Sequence, residues 1–413
     1  MLSSYRQIFA APGSLAFSAT GFVSRLPISM TGIGIVTMLS QLRGSYGLAG
    51  AVSAVMALAA AVIGPQVSRL VDRHGQRRVA LPATAVTTVS TVALLLCARS
   101  GAPDWTLFLC AIGMGTMVST GALVRARWAH LYRQDAAKLH TAYALESVVD
   151  EIIFIVGPIL SIGLATSLFP EAGVLLAGIL LAVGVLLFTG RRGTEPPVHQ
   201  AAREESGSAI RSPGLRVLML TFVATGAIFG SVEVVTVAFA QAQGHKATSS
   251  LVLAVYALGS AVAGTIFGTL RPRRTAERRF QLGVGVMAVS MLPLALAALW
   301  CTGLVGLLAV GGALFLSGLS IAPTMITAMG LVERLVPAAQ LTEGMSWTTT
   351  GLALGVAGGS SLAGWVVDSA GAAAGYRVPL TAAVFALLVA LAGGRRLRPA
   401  TGAAAPQAVP VGP

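Results

Sequence analysis

Twelve apolar runs, each long enough to cross a bilayer, follow one another with short charged connections between them. They cover approximately 15–41, 46–68, 79–98, 105–127, 141–167, 171–190, 215–241, 248–270, 280–299, 303–331, 344–367 and 377–394. A crossing helix needs about 20 mostly apolar residues. In hydrocarbon every backbone polar group must be satisfied internally, which leaves only helices or closed barrels. Barrel strands are shorter and alternate in hydropathy, so these runs predict an all-α membrane protein with twelve transmembrane helices. The charge content agrees: 10% of residues are charged, against about 25% in a soluble domain.

The connections give an orientation. With the N-terminus cytoplasmic, 23 of the 28 Lys and Arg residues fall in inner connections, four (Arg43, Arg99, Lys246, Arg377) fall outside, and Arg25 lies within the first run. Basic residues collect on the cytoplasmic side of membrane proteins, so both termini are expected there, in the cell membrane. The net charge of +13 is thereby a matter of topology, and with no recognition module beside it a nucleic-acid partner is excluded. Cys97, Cys110 and Cys301 all lie in apolar runs without metal spacing, and His74, His130, His140, His199 and His245 are dispersed. No metal and no cofactor are expected. The opening "MLSSYRQIFAAPGS" is short and mixed, so no cleavable signal peptide is expected before the first run. Phosphate-loop, zinc-protease and nucleophile-elbow motifs are missing, which argues against an ATP-driven pump or an enzyme.

The longest connection, "RRGTEPPVHQAAREESGSAIRSPGLR", is polar and rich in Pro, Gly and Ser, and reads as a flexible cytoplasmic linker over 191–214. It divides the chain into six-helix halves, 1–190 and 215–394, followed by a disordered cytoplasmic tail over 395–413. The halves echo each other. The charged turn "SRLVDRHGQRR" after the second run has a counterpart, "TLRPRRTAERR", after the eighth, which suggests two parallel repeats with alternating access between them.

That first turn resembles the cytoplasmic signature of the major facilitator superfamily, Gly-x-x-x-Asp-Arg-x-Gly-Arg-Arg. The match covers Asp72, Arg73, Gly75, Arg77 and Arg78; Ser68 replaces the first Gly, and Gln76 stands where some relatives carry a basic residue. The resemblance extends through the twelve spans and central linker. It implies two pseudo-symmetric bundles, a cavity lined by helices 1, 4, 7 and 10, and an Asp72 that latches the halves against the start of helix 11, here "LTEGMSW". Gly75 allows a tight turn. Arg73, Arg77 and Arg78 either join this gate or only enforce topology. Arg125 and Arg127 in "ALVRARWAHL" are expected to snorkel at the inner interface, as candidate partners for Asp72. Glu343 is a candidate for capping helix 11 or joining the same network.

Ionisable groups within spans are functional candidates by default. "AYALESVVDEIIFIVGP" holds Glu146, Asp150 and Glu151, with the first two on one face. Asp150 lies about 14 Å from its helix start and Arg25 about 15 Å from its own, a matching depth that pairs Arg25 with Asp150 or Glu151. The pair is either a static packing device or a protonation site. Three carboxylates and one arginine leave at least one acid without an intramembrane basic partner, the best argument for proton coupling. Glu233 in "FGSVEVVTVAFA" either faces substrate or is structural, and Pro158 and Pro323 mark expected kinks. Relative to drug/proton antiporters, "FLCAIGMGTM" has Leu109 and Ile112 in the helix-4 motif, and "GPILS" ends in Ser161 instead of Gly.

The expected function is proton-coupled export of small hydrophobic drugs or metabolites by a monomeric secondary transporter in the bilayer. The alternatives are a proton-coupled importer of a small metabolite and a transport-inactive sensor or assembly partner.

Overall fold

In the computed structural model, residues 2–198, 207–244, 248–270 and 274–398 are described. Arg203, Lys246, Arg271, Arg273, His199 and His245, the middle of the predicted linker and residues 399–413 of the tail lie outside them. The described residues are helical throughout, joined by short turns.

Twelve spans are present among the described residues. A short helix, Leu2–Ile8, precedes span 1, which comprises Ser14–Arg25 and Pro27–Arg43. Spans 2 and 3 are Tyr46–His74 and Gln76–Arg99. Span 4 is split into Asp104–Met114 and Thr120–Leu131, and spans 5 and 6 are Ala136–Ser167 and Ala172–Gly190. The second half has span 7 Pro213–Ala242, span 8 Ser249–Phe267, span 9 Ala276–Trp300, span 10 Gly303–Gly318 with Ile321–Leu335, span 11 Leu341–Ala370 and span 12 Arg377–Ala392. Ten are long and apolar enough to cross a membrane; Asp104–Met114 and Leu251–Phe267 are shorter apolar helices.

The interruptions correct the expectation of continuous helices. Span 1 breaks at Pro27, which has no N–H for the carbonyl four residues back, and the break falls beside Arg25. Span 4 unwinds over residues 115–119, where Gly115 is pressed against Ala59: an added Cβ would lie 2.5 Å from the Ala59 Cβ. Pro323 does not kink a continuous span 10. The helix stops at Gly318 and restarts at Ile321, placing Pro323 in a first turn, where its missing donor costs little. Pro158 sits within the unbroken span 5.

The linker is also less free than its composition suggests. Glu195 accepts from the Arg77 backbone N–H at 3.0 Å, Ala209 is buried, and the Arg69 guanidinium donates to the Gly207 carbonyl at 3.2 Å. Beyond span 12, Leu397 is fully buried, so the predicted disordered tail begins with packed chain.

Spans 7 and 11 interlock through glycines. Cβ atoms added at Gly226 and Gly230 would lie 2.0 and 2.3 Å from the Leu352 and Val356 carbonyl oxygens; at Gly355 and Gly359, 1.9 and 2.3 Å from those of Val223 and Ala227. Small residues four apart on both helices let the backbones touch, the packing available where lipid removes any hydrophobic drive between helices.

The two halves meet mainly at the end that carries the arginine turns, called here the basic end. The Tyr5 hydroxyl donates to the Thr265 carbonyl (3.0 Å) and the Thr141 hydroxyl to that of Gly268 (2.9 Å), while His140 Nε2 meets the Phe267 carbonyl at 2.9 Å. Gly268 admits this approach, since a Cβ there would lie 2.3 Å from that of Ala144.

Candidate functional site

Two groups of side chains stand out: a closure at the basic end, and a charge cluster within the first half.

At the closure, span 2 ends at His74 and Gly75 adopts φ +93°, a left-handed backbone that favours glycine. The turn aims Asp72 at the start of span 11. Its two carboxylate oxygens accept from the Thr342 N–H at 3.2 Å and the Glu343 N–H at 2.8 Å, two of the donors that a helix start leaves unpaired. A carboxylate is favoured there by the helix dipole. Glu343 itself is buried, and its side chain accepts from the Ser208 hydroxyl and, at 3.2 Å, from Trp347 Nε1. Arg73 is half-buried at the turn, and Arg78 is exposed.

Neither Arg125 nor Arg127 pairs with Asp72 among the described residues, which corrects that assignment. Arg127 is fully buried, its Nε donating to Gln76 Oε1 at 2.7 Å and its Nη1 to the Arg191 carbonyl and Thr194 hydroxyl, both at 2.9 Å. Its guanidinium carbon lies 3.9 Å from the Phe188 ring centroid. This explains the departure at Gln76: a basic residue there would set a second cation against a buried guanidinium that needs an acceptor.

Arg125 points the other way, into the bundle. Its Nη2 lies 2.5 Å from Asp150 Oδ2, while Arg25 Nη1 lies 2.9 Å from Asp150 Oδ1. Arg25 also pairs with Glu146, whose other oxygen accepts from Trp128 Nε1 at 2.7 Å. Glu146 and Trp128 are fully buried, and Arg25 is 3% exposed. Spans 1, 4 and 5 thus hold two guanidiniums and two carboxylates in one connected, formally neutral group. Arg25 takes Asp150 and Glu146 as partners, not Glu151. Trp128 was not anticipated as part of the group; its only sequence signal was its position three residues after Arg125.

Glu151 is left over. Rotated about 100° from Asp150 on span 5, it faces the second half, where its Oε1 accepts from the Ser260 hydroxyl of span 8 at 2.6 Å. Ser260 is fully buried and half-buried Glu151 has no basic partner among the described residues. Ser260 was not singled out from sequence; a hydroxyl in the Gly/Ala-rich "LGSAVAGT" is common packing material. One turn from Ser260, the Tyr256 ring stacks edge-on to Phe229 of span 7 with centroids 6.3 Å apart. Glu233 follows Phe229 by four residues, is exposed, and has no hydrogen bond or ion pair among the described residues. Ser161, the residue that departs from the antiporter pattern, donates to the Met30 carbonyl at 3.0 Å and so ties span 5 to span 1. Among the described residues no three His, Cys, Asp or Glu side chains are grouped to hold a metal.

The family model for the Major Facilitator Superfamily matches residues 17–314. No curated protein matches the chain. Among solved structures, a bacterial homologue of the iron transporter ferroportin in an outward-facing state is similar at TM-score 0.73 and 15% identity, covering 92% of this chain and 99% of that one. The human organic anion transporter MFSD10 (TETRAN) gives TM-score 0.67 at 16% identity over 94% and 100% of the two chains. The E. coli fucose:proton symporter FucP gives 0.67 at 14% identity over 92% and 97%. At such identities the likeness concerns the fold. With twelve spans in two halves and a family match over most of its length, this multi-pass membrane protein belongs to the major facilitator superfamily and is a secondary transporter working by alternating access.

Proposed function

We propose that the protein couples proton movement to export of small, fairly hydrophobic molecules, as a monomer with its basic end and both termini at the cytoplasmic face of the cell membrane. The count of Lys and Arg in the connections supports that orientation. The observation that carries the coupling is the Glu151–Ser260 hydrogen bond of 2.6 Å, made across the halves by a carboxylate without a counter-cation.

The Arg25–Glu146–Asp150–Arg125 group is internally balanced, and protonating either acid would leave a buried guanidinium uncompensated. Glu151 carries no such penalty. As a carboxylate it accepts a charge-assisted bond from Ser260, roughly twice as strong as a neutral one, and holds the basic end shut. Protonation removes the charge, weakens the tie and lets the halves part at the cytoplasmic face. There the proton leaves, and the emptied carboxylate favours the shut state again as cargo is carried outward. Asp72, bound to the start of span 11, adds a second tie that must break in the same movement. Exposure of Glu233 on the helix face of Phe229 supports its role as a second proton or cargo contact. The apolar character of the remaining span residues favours hydrophobic cargo over sugars.

The test is proton flux in inside-out vesicles with an acid lumen, challenged with a panel of lipophilic cations. Alkalinisation of the lumen that disappears in Glu151→Gln supports the reading. Cargo-driven acidification in de-energised vesicles would instead make the protein an importer.

A further inference from the structure

On the outer surface of the second half, spans 9, 10 and 12 enclose an open groove of about 1040 Å³. Its walls are apolar and turned away from the protein: Val286, Val289, Leu316 and Leu391 are each more than half exposed. At its basic end stand Arg274 and Arg278, both exposed, with no ion pair or hydrogen bond among the described residues. The neighbouring acid, Glu277, is directed to Arg398 instead, at 3.9 Å. From Arg278 to Pro293, both of which line the groove, span 9 rises about 22 Å. That exceeds one leaflet's half of a hydrocarbon core about 30 Å thick.

The first half shows what such a surface takes. Its equivalent arginine turn, at the start of span 3, borders a second groove that includes Arg77, Arg78, Leu81 and Pro82. There the chain supplies its own cover: the Glu195 carboxylate binds the Arg77 N–H at 3.0 Å, and apolar Pro196 and Val198 follow it along the wall. An anion succeeded by apolar atoms thus lies on the arginine turn of one half. The other half repeats the turn and the apolar wall without a carboxylate over them among the described residues.

We propose that the groove of spans 9, 10 and 12 binds an anionic diacyl phospholipid, its phosphate between Arg274 and Arg278 and one acyl chain along span 9. The charge complementarity is that of a basic site at the membrane surface, and the apolar wall adds a demand for a chain that a soluble phosphate lacks. The inference does not depend on proton coupling.

The experiment is native mass spectrometry of the full-length protein in detergent, equilibrated with equal amounts of phosphatidylglycerol and phosphatidylcholine of identical acyl chains. The wild type is expected to retain phosphatidylglycerol preferentially. Arg274→Gln/Arg278→Gln is expected to weaken that retention about 30-fold, from roughly 1 kcal/mol per basic residue. Arg395→Gln/Arg396→Gln, at the same end but outside the groove, leaves it unchanged. Val289→Trp, which fills the groove without altering charge, lowers retention of both lipids. Equal retention of the two lipids by the wild type would overturn the proposal, as would a preference that survives Arg274→Gln/Arg278→Gln. Equal loss in the Arg395/Arg396 variant would reduce the effect to general basicity. Stronger phosphatidylglycerol binding after removal of residues 399–413 would make the tail the occupant and overturn it equally.

Discussion

The two halves share an architecture and hold it together differently. In the first, spans 1, 4 and 5 are joined by buried charge: Arg25, Arg125, Glu146 and Asp150 form one network, with Trp128 donating into it. In the second, spans 7 and 11 are joined by the absence of side chains, glycine backbone against carbonyl. Charged networks permit discrete rearrangement at a cost set by desolvation, whereas interlocked glycines permit almost none. Under the proposed coupling, the switching element belongs to the first half and the rigid wall to the second. Glu151, on span 5 of the switching half, reaches Ser260 on the other side.

Breaking the network gives the largest expected effect. Arg25→Met leaves Glu146 buried without its cation and should destabilise the protein by about 3–5 kcal/mol, measured as thermal unfolding in detergent. Arg25→Met/Glu146→Leu, which removes both partners, should cost less than Arg25→Met alone. If the double variant is the worse of the two, the network is packing material and the contrast between halves fails.

Adding a methyl to the rigid wall comes next. Gly226→Ala or Gly355→Ala should each cost about 1–3 kcal/mol, since the new Cβ overlaps a facing carbonyl oxygen. Gly163→Ala in span 5, with nothing within 4 Å of the added atom, should be neutral or slightly stabilising.

A smaller effect is expected at the closure. Asp72→Asn keeps the shape but removes the charge facing the Thr342 and Glu343 N–H groups, a loss of up to about 1 kcal/mol. That is roughly a fivefold shift of population towards the form open at the basic end, readable by labelling of a cysteine introduced at Thr342. Asp72→Glu, by contrast, should retain most of the closure.

Smallest in stability is Glu151→Gln, which replaces one acceptor by another beside Ser260 and should stay within about 0.5 kcal/mol of wild type. Its expected effects are on coupling and on closure of the basic end, not on unfolding, which separates the proposed switching residue from the network that supports it.

The fold was readable to the extent that hydropathy carries it. Twelve runs became twelve spans, because backbone satisfaction in lipid leaves a long apolar run few alternatives. The breaks were less visible: Pro27 is a plain helix-start signal once the interruption is known, while the unwinding over 115–119 depends on contact with Ala59 of another span. For the site, counting residues along a helix gives depth but not direction. Depth brought Arg25 to the level of Asp150. Direction was needed to see that Arg125, which sequence assigns to the interface, turns to the same acid, while Arg127, two residues on, is buried on another face against Gln76 and Phe188. The surplus carboxylate was countable from sequence. That it is Glu151, and that its partner is a serine of the other half, required the packing of span 5 against span 8.

If the Glu151 proton governs closure at the basic end, the separation of the two halves there must follow pH. The most direct measurement is the distance between spin labels at Gln134 and Arg334, exposed at that end of the two halves, on a cysteine-free background across a pH series. Above its pKa, Glu151 is a carboxylate that holds Ser260 and the distance is short; as pH falls it takes up a proton, the tie weakens and the distance lengthens. Glu151→Gln is expected to show the long-distance population at every pH, with the dependence lost. An unchanged pH-dependent lengthening in Glu151→Gln would contradict it.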